Sequence, residues 1–528
     1  MKKTGLSIAL AVLLFCQLGI SQGSHKKQPN IIYIMSDDHT SQAIGAYGGR
    51  LAKLNPTPNI DKLAAEGMLF ENAFVTNSIC TPSRACIISG QYSQTNGVLD
   101  LDGEINPAKE YLPMEMKKLG YTTAMIGKWH LKNEPSAFDY YKILEGQGKY
   151  FNPTFYEKGK GEWMKNEVKS VGHSTDVITD IALDYLKKRD KSKPFFIMQH
   201  YKAPHDMFEF APRYADYLKD VEIPEPASLY FQPNFGSEAT VGKNGKLRAV
   251  IGSSVSDRHL YRNYVNMLLK DTVSGTIATH LAYQEYLKRY LRCVKGVDDN
   301  LARLFDYLKK EGLWENTVIV YTGDQGMMLG EHDLIDKRWM YDESMRMPFI
   351  VHYPKMVKAG SKTDLLINNT DFAPTLIELA KGKKPSYMQG FSFINTLEGK
   401  AEKDWRTATY YRYWMHNIHH WVPAHFGVRT KQYKLIFFYA KHYLPEAEWN
   451  KFYWNKEMRI YGYNTPVAWE FYDLKNDPEE VNNRYKDPKY KDIIASLKEE
   501  ILKQRKELNE TDVNYPEIQK VIDKHWND

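Results

Sequence analysis

Pro29-Asn30-Ile31-Ile32-Tyr33-Ile34-Met35-Ser36-Asp37-Asp38 is a continuous apolar run that stops on two carboxylates. Apolar residues at successive positions predict a strand buried on both faces of a parallel sheet. Carboxylates at its C-terminal end then lie where open α/β sheets keep their sites. Adjacent aspartates repel unless a cation stands between them, so Asp37 and Asp38 read as ligands of a hard divalent metal, the alternative being a helix N-cap with a first-turn acid. The pattern recurs: 121–126 runs into Gly127-Lys128-Trp129-His130, 194–199 into His200-Tyr201-Lys202-Ala203-Pro204-His205, and 317–322 into Gly323-Asp324-Gln325-Gly326. Of the two histidines in the 200–205 cluster, His205, held by a turn at Pro204, is the better functional candidate, while His200 equally suits the core. The glycines around Asp324 and Gln325 let the backbone bring both in close. An acid and an amide oxygen there complete an oxygen-only shell, which suits Ca²⁺ or Mg²⁺ and not zinc.

Between these strands the periodicity predicts helices near 59–67, 112–120, 174–189, 283–310 and 370–380, with further strands at 69–75 and 348–353. Alternation over nearly 400 residues means α/β with a largely parallel sheet flanked by helices. Residues 140–173 and 220–255 lack periodicity and read as surface excursions. From about 385 the texture turns β-rich and aromatic and closes with a helix at 493–508. The expected division is a catalytic domain over 24–390 and a smaller α+β subdomain over 391–528. In the latter, Tyr410-Tyr411-Arg412-Tyr413-Trp414-Met415-His416, with His419, His420, Trp421 and His425, mixes rings and forked donors. That mixture suits sugar recognition, and equally a strand core.

Cys80-Thr81-Pro82-Ser83-Arg84 reads as a helix start, with Pro82 at the first helical position and Arg84 one turn on. The backbone N–H groups of such a start, with Arg84, make an anion site, and a thiol there is a candidate nucleophile.

The 528 residues allow more than one core, and 43% hydrophobic with 26% charged residues describes an ordinary soluble protein. Lys and Arg number 71 against 65 Asp and Glu, a small excess of +6, and no basic run is dense enough to suggest nucleic acid. Residues 1–23 carry Lys2-Lys3, an apolar run and then small residues, the pattern of a secretory signal cut after Ser21 or Gly23. Cys16 sits behind Leu-Leu-Phe, where a lipoprotein signal wants a small residue, so lipid anchoring is the weaker reading. No later stretch approaches the roughly 20 apolar residues of a membrane span, and the mature protein is expected to be periplasmic without membrane insertion. Removing Cys16 leaves Cys80, Cys86 and Cys293, an odd count that points to one thiol reserved for chemistry. Pairing of Cys86 with Cys293 stays open.

Together these motifs resemble the type I, formylglycine-dependent sulfatases of the alkaline-phosphatase superfamily, from Asn30 to the 470–480 stretch. Cys80-Thr81-Pro82-Ser83-Arg84, followed by Ala85 and Ser89-Gly90, fits that family's signature, and the other motifs and Lys337 stand in the family's order. The resemblance implies an alkaline-phosphatase-like fold, with Cys80 oxidised to formylglycine by a formylglycine-generating maturation enzyme. The hydrate would supply the nucleophilic oxygen, and a gem-diol can eject sulfate from its own carbon. Asp37, Asp38, the converted Cys80, Asp324 and Gln325 would hold one Ca²⁺ per chain; Gln325 stands where many relatives have Asn. Arg84 would steady the hydrate and Lys128 and Lys337 would bind sulfate oxygens. His205 would be the general acid and His130 the base, while His332 follows the metal loop with a structural role equally open.

The resemblance is strongest to exo-acting carbohydrate sulfatases of glycan-degrading bacteria, implying a sulfated sugar such as 6-O-sulfated N-acetylglucosamine or a 4-O-sulfated galactose. One rival is a phosphate or phosphonate monoester hydrolase of the same superfamily; the extra ligands of its two-zinc members are not evident. A non-catalytic relative that binds sulfated glycans is the other, and filled catalytic positions weigh against it.

Overall fold

The computed structural model describes residues 28–241, 275–418, 422–445, 447–448 and 465–528. The expected signal segment, part of the 220–255 excursion, and His419, His420 and Trp421 lie outside these residues.

A ten-stranded sheet dominates the described residues. Its strands are β1 (Asn30–Asp37), β2 (Met68–Phe70), β3 (Thr122–Gly127), β4 (Tyr140–Leu144), β5 (Thr154–Glu157), β6 (Glu167–Lys169), β7 (Phe195–Pro204), β8 (Thr317–Gly323), β9 (Phe349–His352) and β10 (Ser361–Thr363). They lie in the order β10-β2-β9-β8-β1-β7-β3-β4-β5-β6. From β8 to β4 neighbours run parallel, and antiparallel pairs toward both edges make the sheet mixed. Helices α1 (Pro58–Ala65), α2 (Cys80–Ser89), α3 (Tyr111–Lys118), α4 (Ser174–Lys188), α5 (Gly275–Lys310) and α6 (Phe372–Leu379) cover both faces. Ile31, Tyr33 and Met35 of β1 enter a core with α2, α3 and α6, and Ile32 and Ile34 enter another with α1, α4 and α5. This is why β1 reads as apolar without alternation: each face meets a helical layer.

A second sheet, β11 (Ala408–Tyr413), β12 (His425–Thr430), β13 (Tyr433–Phe438) and β14 (Ala468–Asp473), is an antiparallel meander backed by α7 (Lys491–Glu507) and α8 (Pro516–His525). Phe426, Leu435, Phe437 and Phe471 pack against Leu497, Ile501 and Ile522 of those helices. The opposite face, with Tyr411, Tyr413, Ile436 and Phe438, joins the core that holds α2 and Ile31. The small sheet is therefore welded to the large one. Arg429 and Lys434 add a buried ionic joint to Asp342, and Lys434 also meets Glu480 at 2.7 Å.

Several expectations change. Residues 140–173 hold β4, β5 and β6, which extend the sheet. Residues 69–75 break into β2 and a two-residue strand of another sheet. Pro82 is the third residue of α2 and Cys80 the first; the proline is still tolerated, because N–H groups of the first turn have no intrahelical partner. Cys86 and Cys293 are buried free thiols, pushed up to about 11 and 12 by burial. Among the described residues no helix is long and apolar enough to cross a membrane.

The sugar-recognition reading of 410–425 fails for the described residues. Tyr410, Tyr411, Tyr413, Trp414 and His425 are wholly buried, and Arg412 stacks on Trp414 at 3.4 Å while paired with Asp512 at 2.5 Å. His425 packs among Tyr411, Tyr413 and Phe438. Burial pushes it, and likewise His442, down to about 3. In an unfolded chain both titrate near 6.5. The stability they confer is therefore complete above pH 6.5 and is lost as pH falls toward 3, because the unfolded chain binds protons that the folded one refuses. We expect the pair to cost up to about 2.7 kcal/mol per pH unit in that window. Melting temperatures from pH 7 to 4.5 check this; replacing both histidines by Gln should flatten the decline.

Candidate functional site

Four strand ends and one helix start converge at the C-terminal edge of β3, β7, β1 and β8. β1 delivers Asp37 at its last position, and the chain turns at Asp38 with φ 62°, a left-handed conformation that aspartate accepts more readily than most residues. β3 ends at Gly127 (φ 94°), where a Cβ would stand 1.9 Å from the carbonyl oxygen of His200 on β7. The Lys128 amide donates to that same carbonyl at 2.9 Å. Past β8, a Cβ on Gly326 would stand 2.1 Å from the Glu343 carbonyl oxygen, so the tight loop carrying Asp324 and Gln325 does require glycine.

Arg84 ties the carboxylates together. Its Nε and Nη2 donate to Asp324 Oδ2 at 3.0 and 2.9 Å, Nη2 also to Asp37 Oδ1 at 3.2 Å, and Nη1 to the Lys128 carbonyl at 2.6 Å. Lys128 Nζ binds Asp37 Oδ2, and Lys337 Nζ binds Asp38 Oδ2 at 2.6 Å. The Asp38 amide donates to Asp324 Oδ1 at 3.0 Å. Gln325 Nε2 donates to Asp38 Oδ1 and stands 3.9 Å from Cys80 Sγ, while its Oε1 is buried without a hydrogen-bond partner. His205 Nε2 lies 3.7 Å from Asp38 Oδ2, and His130 Nδ1 lies 3.4 Å from Thr81 Oγ1. Every residue singled out in the sequence as catalytic or ligating is thus brought into one nest.

Burial alone would raise the Asp37 carboxyl, but Lys128, His205 and Arg84 overcome it and hold it well below the usual carboxylate range. Asp324 is pushed up to about 7 by burial and by Asp37. Burial, with Lys128 and Arg84 beside it, keeps His130 well below the ordinary imidazole value. Burial and Lys337 oppose charge on His205, yet Asp206 and Asp37 raise it to about 10. The two imidazoles are thus pushed in opposite directions, the division that an acid and a base require.

Some residues were not legible as functional. Gln147, on the exposed loop after β4, accepts from Lys128 Nζ at 2.5 Å; its only signal is the flanking pair Gly146 and Gly148. His200 lies inside β7, with Nδ1 3.1 Å from the Lys128 carbonyl and its ring edge-on to Tyr33, so it buttresses the nest from below. Asn369 donates to Ser83 Oγ at 3.1 Å and braces the first turn of α2. His332 stacks on Phe235 with centroids 3.9 Å apart, a packing position.

Residues 29–383 match the family described as Sulfatase, and residues 330–457 and 451–507 match N-sulphoglucosamine sulphohydrolase, C-terminal. The chain belongs to the sulfatase family. It is a sulfuric ester hydrolase with the large mixed sheet and small antiparallel sheet of that fold. Its sequence is 38% identical to an N-acetylglucosamine-6-O-sulfatase of Bacteroides thetaiotaomicron, over 95% of this chain and 91% of that protein. The structure of BT4656 in complex with its substrate D-glucosamine-2-N,6-O-disulfate aligns at TM-score 0.81 with 36% identity, covering 92% of this sulfatase and 99% of that chain. A phosphonate monoester hydrolase of Agrobacterium radiobacter aligns at TM-score 0.67 with 18% identity, over 91% and 96% of the two chains; at that distance only the fold is shared.

Proposed function

We propose that this sulfatase is an exported enzyme that removes the 6-O-sulfate of a glucosamine residue in a sulfated glycan, using Cys80 converted to formylglycine and one bound Ca²⁺. The observation that carries the chemistry is the nest: Cys80 Sγ and carboxylate oxygens of Asp37 and Asp324 lie within 4.8 Å of one another, under three paired cations. The substrate assignment draws its support from the Bacteroides 6-O-sulfatase and the disulfated glucosamine complex. Export rests on the pattern of residues 1–23.

The donors fit a hard cation. Asp37, Asp38 and Asp324 supply carboxylate oxygens and Gln325 an unpartnered buried amide oxygen, a set that favours Ca²⁺ or Mg²⁺. Cys80 Sγ marks where an oxygen stands once a maturation enzyme has acted. When bound, the metal supplies Lewis-acid polarisation of a sulfate oxygen, and formylglycine supplies the oxygen nucleophile. The chain's own residues do the remainder. Lys128 and Lys337, positioned by Asp37 and Asp38, bind sulfate oxygens and offset charge that gathers on them. Arg84 orients the first turn of α2 against Asp324. Cationic His205 gives its proton to the departing sugar oxygen, and neutral His130, beside Thr81, accepts one at residue 80.

The test is free sulfate released from glucosamine sulfated at the 2-N, 3-O or 6-O position, alongside phenylphosphonate. Release from the 6-O isomer is expected; a preference for the phosphonate would overturn the reading. Chelation should lower the melting temperature, and Ca²⁺ at a hundredfold excess over its Kd should restore about 2.7 kcal/mol. A melting curve indifferent to added Ca²⁺ would contradict the metal site.

A further inference from the structure

Asp206 follows His205 immediately and touches the ring nitrogen other than the one nearest Asp38. His205 Nδ1 lies 2.5 Å from Asp206 Oδ1 and 2.7 Å from the Asp206 backbone carbonyl oxygen. The other nitrogen, Nε2, faces inward toward Asp38. Tyr150, wholly buried, donates its hydroxyl to the His205 carbonyl oxygen at 2.5 Å and pins the backbone from the β4–β5 side. The two nitrogens are thus sorted: one meets only acceptors on Asp206, and the other opens on the reacting groups. Asp206 itself is 23% exposed, so its carboxylate reaches solvent.

We infer that Asp206 is a positioning residue that fixes the tautomer and orientation of His205 for proton donation to the leaving sugar oxygen. The inference rests on the general-acid role proposed for His205. With Nδ1–H donated to Asp206, the proton on Nε2 is the one available for transfer. As the sulfuryl group bonds to the oxygen on residue 80, its bond to the sugar oxygen breaks, the electron pair of that bond goes to the sugar oxygen, and the Nε2 proton joins that oxygen to form the alcohol. The imidazole is left neutral with its Nδ1–H still donated to Asp206, and Nε2 is ready for a proton from water. Without the carboxylate, Nδ1 keeps only the Asp206 backbone carbonyl as acceptor, and the ring is freer to rotate its Nε2–H away from the leaving oxygen, which weakens the acid. Orienting carboxylates act this way wherever a histidine must present one chosen nitrogen.

The discriminating readout is leaving-group dependence. A sugar alkoxide needs the proton; p-nitrophenolate, a far weaker base, does not. Asp206→Asn should lower kcat/KM for glucosamine 6-O-sulfate by roughly 10²-fold, the low end of general-acid contributions, while kcat/KM for p-nitrophenyl sulfate falls several-fold at most. Asp206→Glu should recover part of the loss. Equal losses on both substrates would make Asp206 a structural residue and overturn the inference. His205→Ala, measured in parallel, separates the two layers: a leaving-group bias there with none in Asp206→Asn sinks only the positioning role, whereas no bias in His205→Ala sinks the general-acid reading with it. A second measurement covers slow aryl turnover. In ¹⁵N spectra of histidine-labelled enzyme, the His205 Nδ1 signal should report a protonated nitrogen hydrogen-bonded to Asp206 in the parent and should shift in Asp206→Asn; an unchanged Nδ1 signal would contradict the inference.

Discussion

Cys80→Ala should abolish sulfate release while leaving the fold in place. Cys80 opens α2 with 1% of its surface exposed, and its Sγ accepts one long contact from Gln325 Nε2. Alanine removes a single heavy atom, keeps the helix and disturbs no ion pair. Folding is therefore expected to survive, with a melting temperature close to that of the parent. Activity is another matter, because every other group in the nest is arranged around residue 80. Removing the nucleophile of a hydrolase costs on the order of 10⁶ in turnover. Cys80→Ser tests the same point more sharply: a hydroxyl is isosteric with the thiol, yet if residue 80 must first become an aldehyde, serine stays inactive unless the host's maturation enzyme accepts it. Sulfate release with each variant, beside thermal melts, checks both halves.

Arg84→Ala should damage stability and activity together. The guanidinium is 3% exposed and serves Asp37, Asp324 and the Lys128 carbonyl at once. Asp37 and Asp324 each change the other's affinity for protons, so taking away the cation between them leaves two buried carboxylates in repulsion. Breaking a buried ionic cluster on one side costs roughly 3–5 kcal/mol. Turnover should fall at least 10²–10³-fold, the usual cost of losing one charge-stabilising donor. Arg84→Lys keeps the charge but cannot fork across both carboxylates and the carbonyl, so it should fall between the parent and Arg84→Ala in denaturant midpoint. An Arg84→Ala protein as stable as the parent would show that Asp37 and Asp324 are neutralised some other way.

Much of this site is visible in one dimension for a physical reason. Each of its strands is buried on both faces, which forces an apolar run, and each run ends where the sheet stops and charge can be solvated or paired. Asp37, Lys128, His205 and Asp324 therefore announce themselves as polar residues at the ends of apolar runs. Lys337 lacks that marker: it lies in a charged loop and not at the end of an apolar run, and Lys337 and Arg338 are buried because Asp38, Asp336 and Tyr413 partner them. Residues 140–173 were opaque for the opposite reason. β4, β5 and β6 are short and only partly buried, with mixed inward and outward positions, and their pairing is set by an edge that local pattern does not encode. The aromatic stretch at 410–425 misled because a sugar platform and a strand core use the same rings; only burial separates them. Gln147 carries no more signal than its flanking glycines, since its contact with Lys128 joins residues on separate loops.

The central claim is that Cys80 is the precursor of the nucleophile and not the nucleophile itself. The most direct measurement is the mass of the tryptic peptide spanning residue 80, from enzyme made in a host with formylglycine-generating activity and active on 6-O-sulfated glucosamine. The account predicts an aldehyde or its hydrate at residue 80, in a fraction that tracks specific activity between preparations. A fully active preparation whose peptide carries only the unmodified thiol would contradict it.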